Sequence, residues 1–235
     1  MKKRIIGLIC ICAGGLGVLS QIPVAWIAPH IIPDDLGADI RYSGTIWDGN
    51  INGLDIVGNT RFKLNPKSLF SSDLPLSFQT SSPVMQLSGQ ASRYNIKDLN
   101  FSGQLAGLPT SDGRLKNLAG SVNVEVSELK FNRTCSSANG EASTDILSLN
   151  QARWQWKGPF LSGPLKCEDG DIIAELSGAE NGQAIQAILR LKIDGAYRAD
   201  FSVRTSQPEA GIVLPLYGFE KRGGEFHLTE QGKWR

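Results

Sequence analysis

Ser121-Val122-Asn123-Val124-Glu125-Val126-Ser127 is the cleanest alternation in this 235-residue chain. Successive side chains of a strand point to opposite faces. Period two therefore gives Val122, Val124 and Val126 to a core and Asn123, Glu125 and Ser127 to water. Leu129 and Phe131 resume the alternation one residue out of phase. A bulge near Ser127-Glu128 would return them to the core face.

The same manner extends in both directions. Ala38, Ile40 and Tyr42 alternate with Asp39, Arg41 and Ser43, and Asp48-Gly49 reads as a turn pair. Residues 51–57 and 60–64 read as a hairpin around Gly58-Asn59, and 65–70 as a Pro-started helical turn at best. Stretches at 76–80, 84–88 and 96–105 each fit a strand, and 107–113 a loop. Beyond 121–131 a loop is expected to hold Cys135. Residues 146–156 alternate weakly and end in Trp154-Gln155-Trp156, which as a strand would put both indoles on one face. Strands are expected at 160–165, 172–176, 184–193, 197–203 and 224–229, with a hairpin across Asp194-Gly195. Residues 208–218 form the one expected helix of consequence beyond the N-terminal run, with Pro215 set to kink it. Short strands joined by turn residues mean an all-β domain, mainly antiparallel, its sheet curved or rolled. An open edge or an apolar concave face of such a sheet is a natural docking surface for another β-protein.

The N-terminus decides the solvent in which that domain folds. Lys2-Lys3-Arg4 precede residues 5–32, which contain no Asp, Glu, Lys or Arg. A bilayer core of about 30 Å takes roughly 20 apolar residues in a helix. Basic residues stay cytoplasmic, and Trp26 suits the interfacial belt. The expected organisation is a cytoplasmic 1–4, a single transmembrane anchor over 5–27, and a periplasmic β-rich domain over 28–235. A cleaved signal peptide shares the basic start, but small-x-small cleavage spacing is poorly supplied here. Both readings export the domain.

Twenty-four basic and 23 acidic residues leave a net charge of +1, no field to hold nucleic acid. Cys10 and Cys12 lie in the apolar run as small hydrophobes. Cys135 and Cys167 remain for the exported domain, where a pair reads as a disulfide. A metal site at these cysteines lacks ligands, because the histidines are His30 and His227 alone. The closed loop would restrict the unfolded chain by roughly 3–4 kcal/mol.

The search for chemistry is mostly negative. There is no Gly-x-Ser-x-Gly elbow and no phosphate-cradling loop opening a helix. His227 alternates with Phe226 and Leu228 as a solvent-face strand residue, without a nucleophile to serve. Glu168, Asp169 and Asp171 flank Gly170 and read as a solvated turn rather than a calcium or acid–base site. Lys221-Arg222 and the C-terminal Lys233 and Arg235 are too short and separate to track phosphates. No catalytic residue, cofactor or metal is expected. Trp47, Trp154 and Trp156 read as core anchors. An exposed Trp154 or Trp156 would instead mark an interface.

With these pieces placed, the chain resembles the type II secretion system protein N family, also called general secretion pathway protein N. The resemblance rests on the basic start and the anchor ending in Pro23-Val24-Ala25-Trp26, and above all on Gly44-Thr45-Ile46-Trp47-Asp48-Gly49. Trp154-Gln155-Trp156, Cys167-Glu168-Asp169-Gly170 and the C-terminal course through Gly195-Ala196-Tyr197 and Gly224-Glu225-Phe226 follow in order. It implies a single-pass inner-membrane protein with an AsmA-like periplasmic sheet, a non-enzymatic accessory to the machine that exports folded proteins across the outer membrane. Its partners would be other secretion components. The alternative from another class is envelope lipid binding, with an apolar groove of the sheet as the site.

Overall fold

The computed structural model describes residues 21–26, 40–54, 57–66, 76–107 and 118–233. The expected anchor over 5–27 apart from 21–26, the start of the 38–42 alternation, most of the 65–70 turn and most of the 107–113 loop lie outside those residues. Among the described residues, no helix is long and apolar enough to cross a membrane.

Fourteen strands among the described residues form one antiparallel sheet. The first six are β1 (Arg41–Gly44), β2 (Asp48–Leu54), β3 (Gly58–Leu64), β4 (Leu76–Ser81), β5 (Met85–Ala91) and β6 (Asn95–Gln104). The longest two follow, β7 (Ser121–Asn132) and β8 (Thr134–Thr144). The rest are β9 (Leu161–Glu168), β10 (Asp171–Glu180), β11 (Gln183–Leu191), β12 (Ala196–Arg204), β13 (Glu220–Arg222) and β14 (Glu225–Lys233). Each strand pairs with its predecessor as far as β12, after which β14 lies between β12 and β13. Among the described residues the sheet stays open, with β1 and β13 as its edges.

Val126 pairs with Gly140 and Glu128 with Asn139, so Ser127 is the extra residue of a bulge. Beyond it Leu129 packs against the cluster that holds Val126, on the face its alternation before the bulge would have denied it. Cross-strand partners share a face. The row Tyr42, Ile51, Thr60, Thr80, Leu87, Phe101, Val124 and Ala142 therefore runs unbroken across eight strands. Phenylalanine rings lie over glycines of this face: a Cβ on Gly49 would stand 2.5 Å from the Phe62 ring, and one on Gly103 2.7 Å from that of Phe101. A ring covering a glycine restores the apolar surface that the missing side chain leaves open. Part of the chain's glycine content thereby serves packing as well as turns.

Over the C-terminal strands the face is covered. Two helical turns, α1 (Ile146–Leu149) and α2 (Gln151–Trp154), and the helix α3 (Pro208–Leu216) supply the cover. Trp154, Trp156, Ala210 and Leu214 join Leu161, Ile185, Val203 and Phe226 in one buried cluster. A second cluster, Val126, Ala142, Leu165 and Ala174, adjoins it through Leu176. Burying each such Val, Leu or Phe contributes about 1.5–3 kcal/mol. Pro208 opens α3 where its missing N–H costs nothing, and Glu209 suits the positive end. Pro215 falls in the last turn, so the helix ends beside it rather than bending around it.

Two expectations are corrected. Residues 146–156 are helical turns followed by a reversal, not a strand: Gln155 takes the left-handed region at φ 52°. Asn150 holds the turns in place, donating to the carbonyls of Ala119 at 2.6 Å and Ile146 at 2.7 Å. The loop expected around Cys135 is the start of β8, because Arg133 at φ 64° reverses the chain almost at once.

Candidate functional site

The Gly44–Gly49 motif is the turn between β1 and β2, built so that a second segment can be held against it. Gly44 has φ 86°, and a Cβ there would stand 2.4 Å from the Asp48 carbonyl oxygen. Only glycine takes this position without strain. Thr45 Oγ1 accepts the N–H groups of Trp47 and Asp48, both at 3.3 Å, and the Thr45 N–H donates to the Asp48 carbonyl at 3.0 Å. Gly49 is buried. Asp48-Gly49 is therefore the start of β2, paired with Lys63 and Phe62, and the reversal expected there lies one step earlier, at Thr45–Trp47.

Asp48 projects from the polar face toward Arg61, whose Nε and Nη2 reach its two carboxylate oxygens at 3.3 and 3.1 Å; Lys63 stands 3.8 Å away. The hydrogen bond from Arg61 holds the Asp48 carboxyl below its ordinary range. Trp47 is half-buried, and its carbonyl accepts the Leu64 N–H at 2.8 Å.

Against this turn lies Gln21–Trp26. Pro23 forms an isolated bridge with Thr45, and the Ile46 N–H donates to the Ile22 carbonyl at 3.1 Å. Val24 is buried, whereas Trp26 stands 72 % exposed. Ile22 and Pro23, within the expected anchor, are thus fastened to the first hairpin of the sheet. Sequence periodicity gave no sign of this contact, because it joins two segments that show no alternation.

Cys135 and Cys167 form a disulfide with Cα atoms 5.5 Å apart. The Cys135 N–H donates to the Gly170 carbonyl at 2.8 Å, which ties the start of β8 to the β9–β10 turn. In that turn Asp169 and Gly170 both have positive φ, 54° and 85°, as a two-residue hairpin demands. Its acidic flank is partnered by bases: Glu168 lies 3.7 Å from Lys166, and Asp171 3.6 Å from Arg190. His227 Nε2 is 3.9 Å from Glu225, both on β14.

Trp154 and Trp156 are brought together, their ring centroids 6.4 Å apart. Both are buried, and both indole N–H groups are satisfied. Trp154 donates to the Tyr217 hydroxyl at 2.7 Å and Trp156 to Gln183 Oε1 at 2.9 Å. Gln183 in turn donates to the Lys157 carbonyl at 2.6 Å. These indoles are core, and the surface they were to mark if exposed does not exist.

The motif turn and the disulfide thus lie on a single sheet, with the paired indoles packed against it. The sequence matches the family model described as type II secretion system (T2SS), protein N, over residues 41–229. No curated protein and no solved structure is significantly similar to it. The match begins at β1, takes in the whole Gly44–Gly49 turn and runs into β14, so it covers nearly all of the sheet. The chain belongs to the type II secretion system protein N family.

Proposed function

We propose that this protein is a non-enzymatic accessory subunit of the type II secretion system, held in the inner membrane by residues 5–27 with its sheet in the periplasm. The observation that carries the reading is the family match across 41–229, which includes the Gly44–Gly49 turn. The disulfide supports an oxidising compartment. The run of basic Lys2-Lys3-Arg4 before an uncharged stretch supports the anchor and its orientation. Other secretion components are its partners, and the machine's product is folded protein moved across the outer membrane. The test is deletion of the chain in its host with assay of exported enzymes. Folded enzyme held in the periplasm is the expected result, and normal export would overturn the reading.

A second reading, an envelope lipid-binding protein with an AsmA-like sheet, is favoured by one feature. The apolar face of β3–β6 is half-buried, and among the described residues no helix packs on it as on β9–β14. Normal export with altered outer-membrane permeability in the deletion strain would favour it.

A further inference from the structure

Under the anchoring proposed above, the membrane crossing falls between Arg4 and the first residue that the sheet holds. Ile22 and Pro23 are bonded to the β1–β2 turn, and Val24 is buried. Residues 5–21 are left for the crossing, 17 in all. A helix of that length spans about 25 Å, against a hydrocarbon core of about 30 Å. A span shorter than the core thins the bilayer around it, so no slack separates bilayer and domain. The end of the sheet that holds Ile22 is therefore drawn to the bilayer surface.

Strand direction decides which other residues share that end. The Trp47 carbonyl accepts the N–H of Leu64, the last residue of β3. Leu64 pairs with Leu76 at the start of β4, and Leu76 with Ala91 at the end of β5. The β5–β6 turn, Ser92-Arg93-Tyr94, thus stands at the same end of the strands as the β1–β2 turn. Its Tyr94 carbonyl accepts the Phe131 N–H at 3.0 Å, beside the β7–β8 turn at Arg133. The three turns, at 45–47, 92–94 and 133, contain no acidic residue. Later turns of this end carry Asp169 and Asp194, so the basic part is the part nearest the anchor. Arg93 and Arg133 are exposed, and the Arg93 guanidinium lies 5.1 Å from the centre of the Tyr94 ring. Among the described residues the most exposed tryptophan and tyrosine are Trp26, at 72 %, and Tyr94, at 50 %, and both stand on this end. Amphipathic rings beside long basic side chains suit a membrane–water interface, the ring at headgroup depth and the cation at the phosphates. Leu149, Phe160, Ile212 and Leu216, exposed elsewhere, have no polar tip to place there.

We infer that this end of β1–β8, with Trp26, Arg93, Tyr94 and Arg133, rests in the phospholipid headgroup layer of the membrane. The inference rests on the anchoring reading and adds which end of the sheet faces the bilayer. Its test uses the full-length chain in vesicles of phosphatidylethanolamine and phosphatidylglycerol, with a fluorescent amino acid incorporated at position 26, 94, 83 or 149. Pro83 lies at the other end of β5 from Tyr94, and Leu149 beyond the far end of β8. An intact Cys135–Cys167 disulfide, read by non-reducing mobility, confirms folding of each variant, and two positions per end guard against loss of one. Phospholipid spin-labelled at its headgroup should quench the probe at 26 and 94 several-fold more than at 83 and 149. Equal quenching at the two ends, or stronger quenching at 83 and 149, in protein that floats with the vesicles would overturn the inference and leave the anchor standing. Quenching at 26 alone, or at no position, in floated protein would do the same and leave the turns to a protein partner. Protein that does not float with the vesicles would remove both.

Discussion

At Trp156 a single hydrogen bond closes a chain of buried polar groups. The indole donates to Gln183, which is 3 % exposed, and Gln183 donates to the Lys157 carbonyl. Trp156→Phe keeps most of the ring and removes the donor, leaving a buried amide oxygen without its partner. Thermal or denaturant unfolding should show a loss of about 1–3 kcal/mol. Gly163 is a second sensitive residue, because a Cβ there would stand 1.8 Å from the Glu175 carbonyl oxygen of the adjacent strand. Gly163→Ala should force the strands apart and cost about 1–3 kcal/mol in the same measurement. Neither role was legible in the sequence. The Gly-Pro pair at 163–164 falls inside the strand expected at 160–165, and only the β9–β10 register brings Glu175 against it. Trp154 and Trp156 were readable as core anchors from size alone, but the route by which both reach one cluster was not. It depends on the left-handed Gln155, a conformation that a glutamine does not advertise.

Among the elements, the β8–β9 pair is the one held covalently. The double variant Cys135→Ser/Cys167→Ser, which opens a link spanning 32 residues, should lower stability by roughly 3–4 kcal/mol in denaturant titration. The β12–β14 pair carries a pH dependence instead. Arg198 holds the Asp200 carboxyl below its ordinary range through two hydrogen bonds at 2.8 and 3.0 Å, and the Thr229 hydroxyl adds a third at 2.7 Å. A carboxyl with a lowered folded pKa contributes stability above its unfolded value of about 3.9, and loses it as pH falls through the folded value. Both side chains are partly exposed, so the contribution is small. The denaturation midpoint should therefore fall less between about pH 6 and about pH 3 in Asp200→Asn than in the parent chain. Strand identity was the most legible level: β4, β6, β7, β11 and β12 follow period two closely, and the Ser127 bulge follows from the phase slip. The helical turns at 146–154 were not legible, since four-residue turns are too short to display a 3.6 period.

For the whole molecule, the order of the strands has a consequence for how the chain reaches its folded state. A strand that pairs with its predecessor needs nothing from further along the chain, and such local pairing is fast. From β1 to β12 the sheet can therefore grow hairpin by hairpin from its N-terminal edge, without waiting for the C-terminus. The last step breaks that rule, because β14 inserts against β12, with Phe226 opposite Val203, and carries β13 outside it. Until then β12 presents nine residues of unpaired backbone, whereas the finished edge is the short, charged Glu220-Lys221-Arg222. Such a long open edge is a template for pairing between chains. A chain truncated after residue 223 should accordingly form oligomers by size-exclusion chromatography, with the intact chain as reference. The final strand acts as a terminator of growth, replacing a sticky seam with one that no second copy can extend.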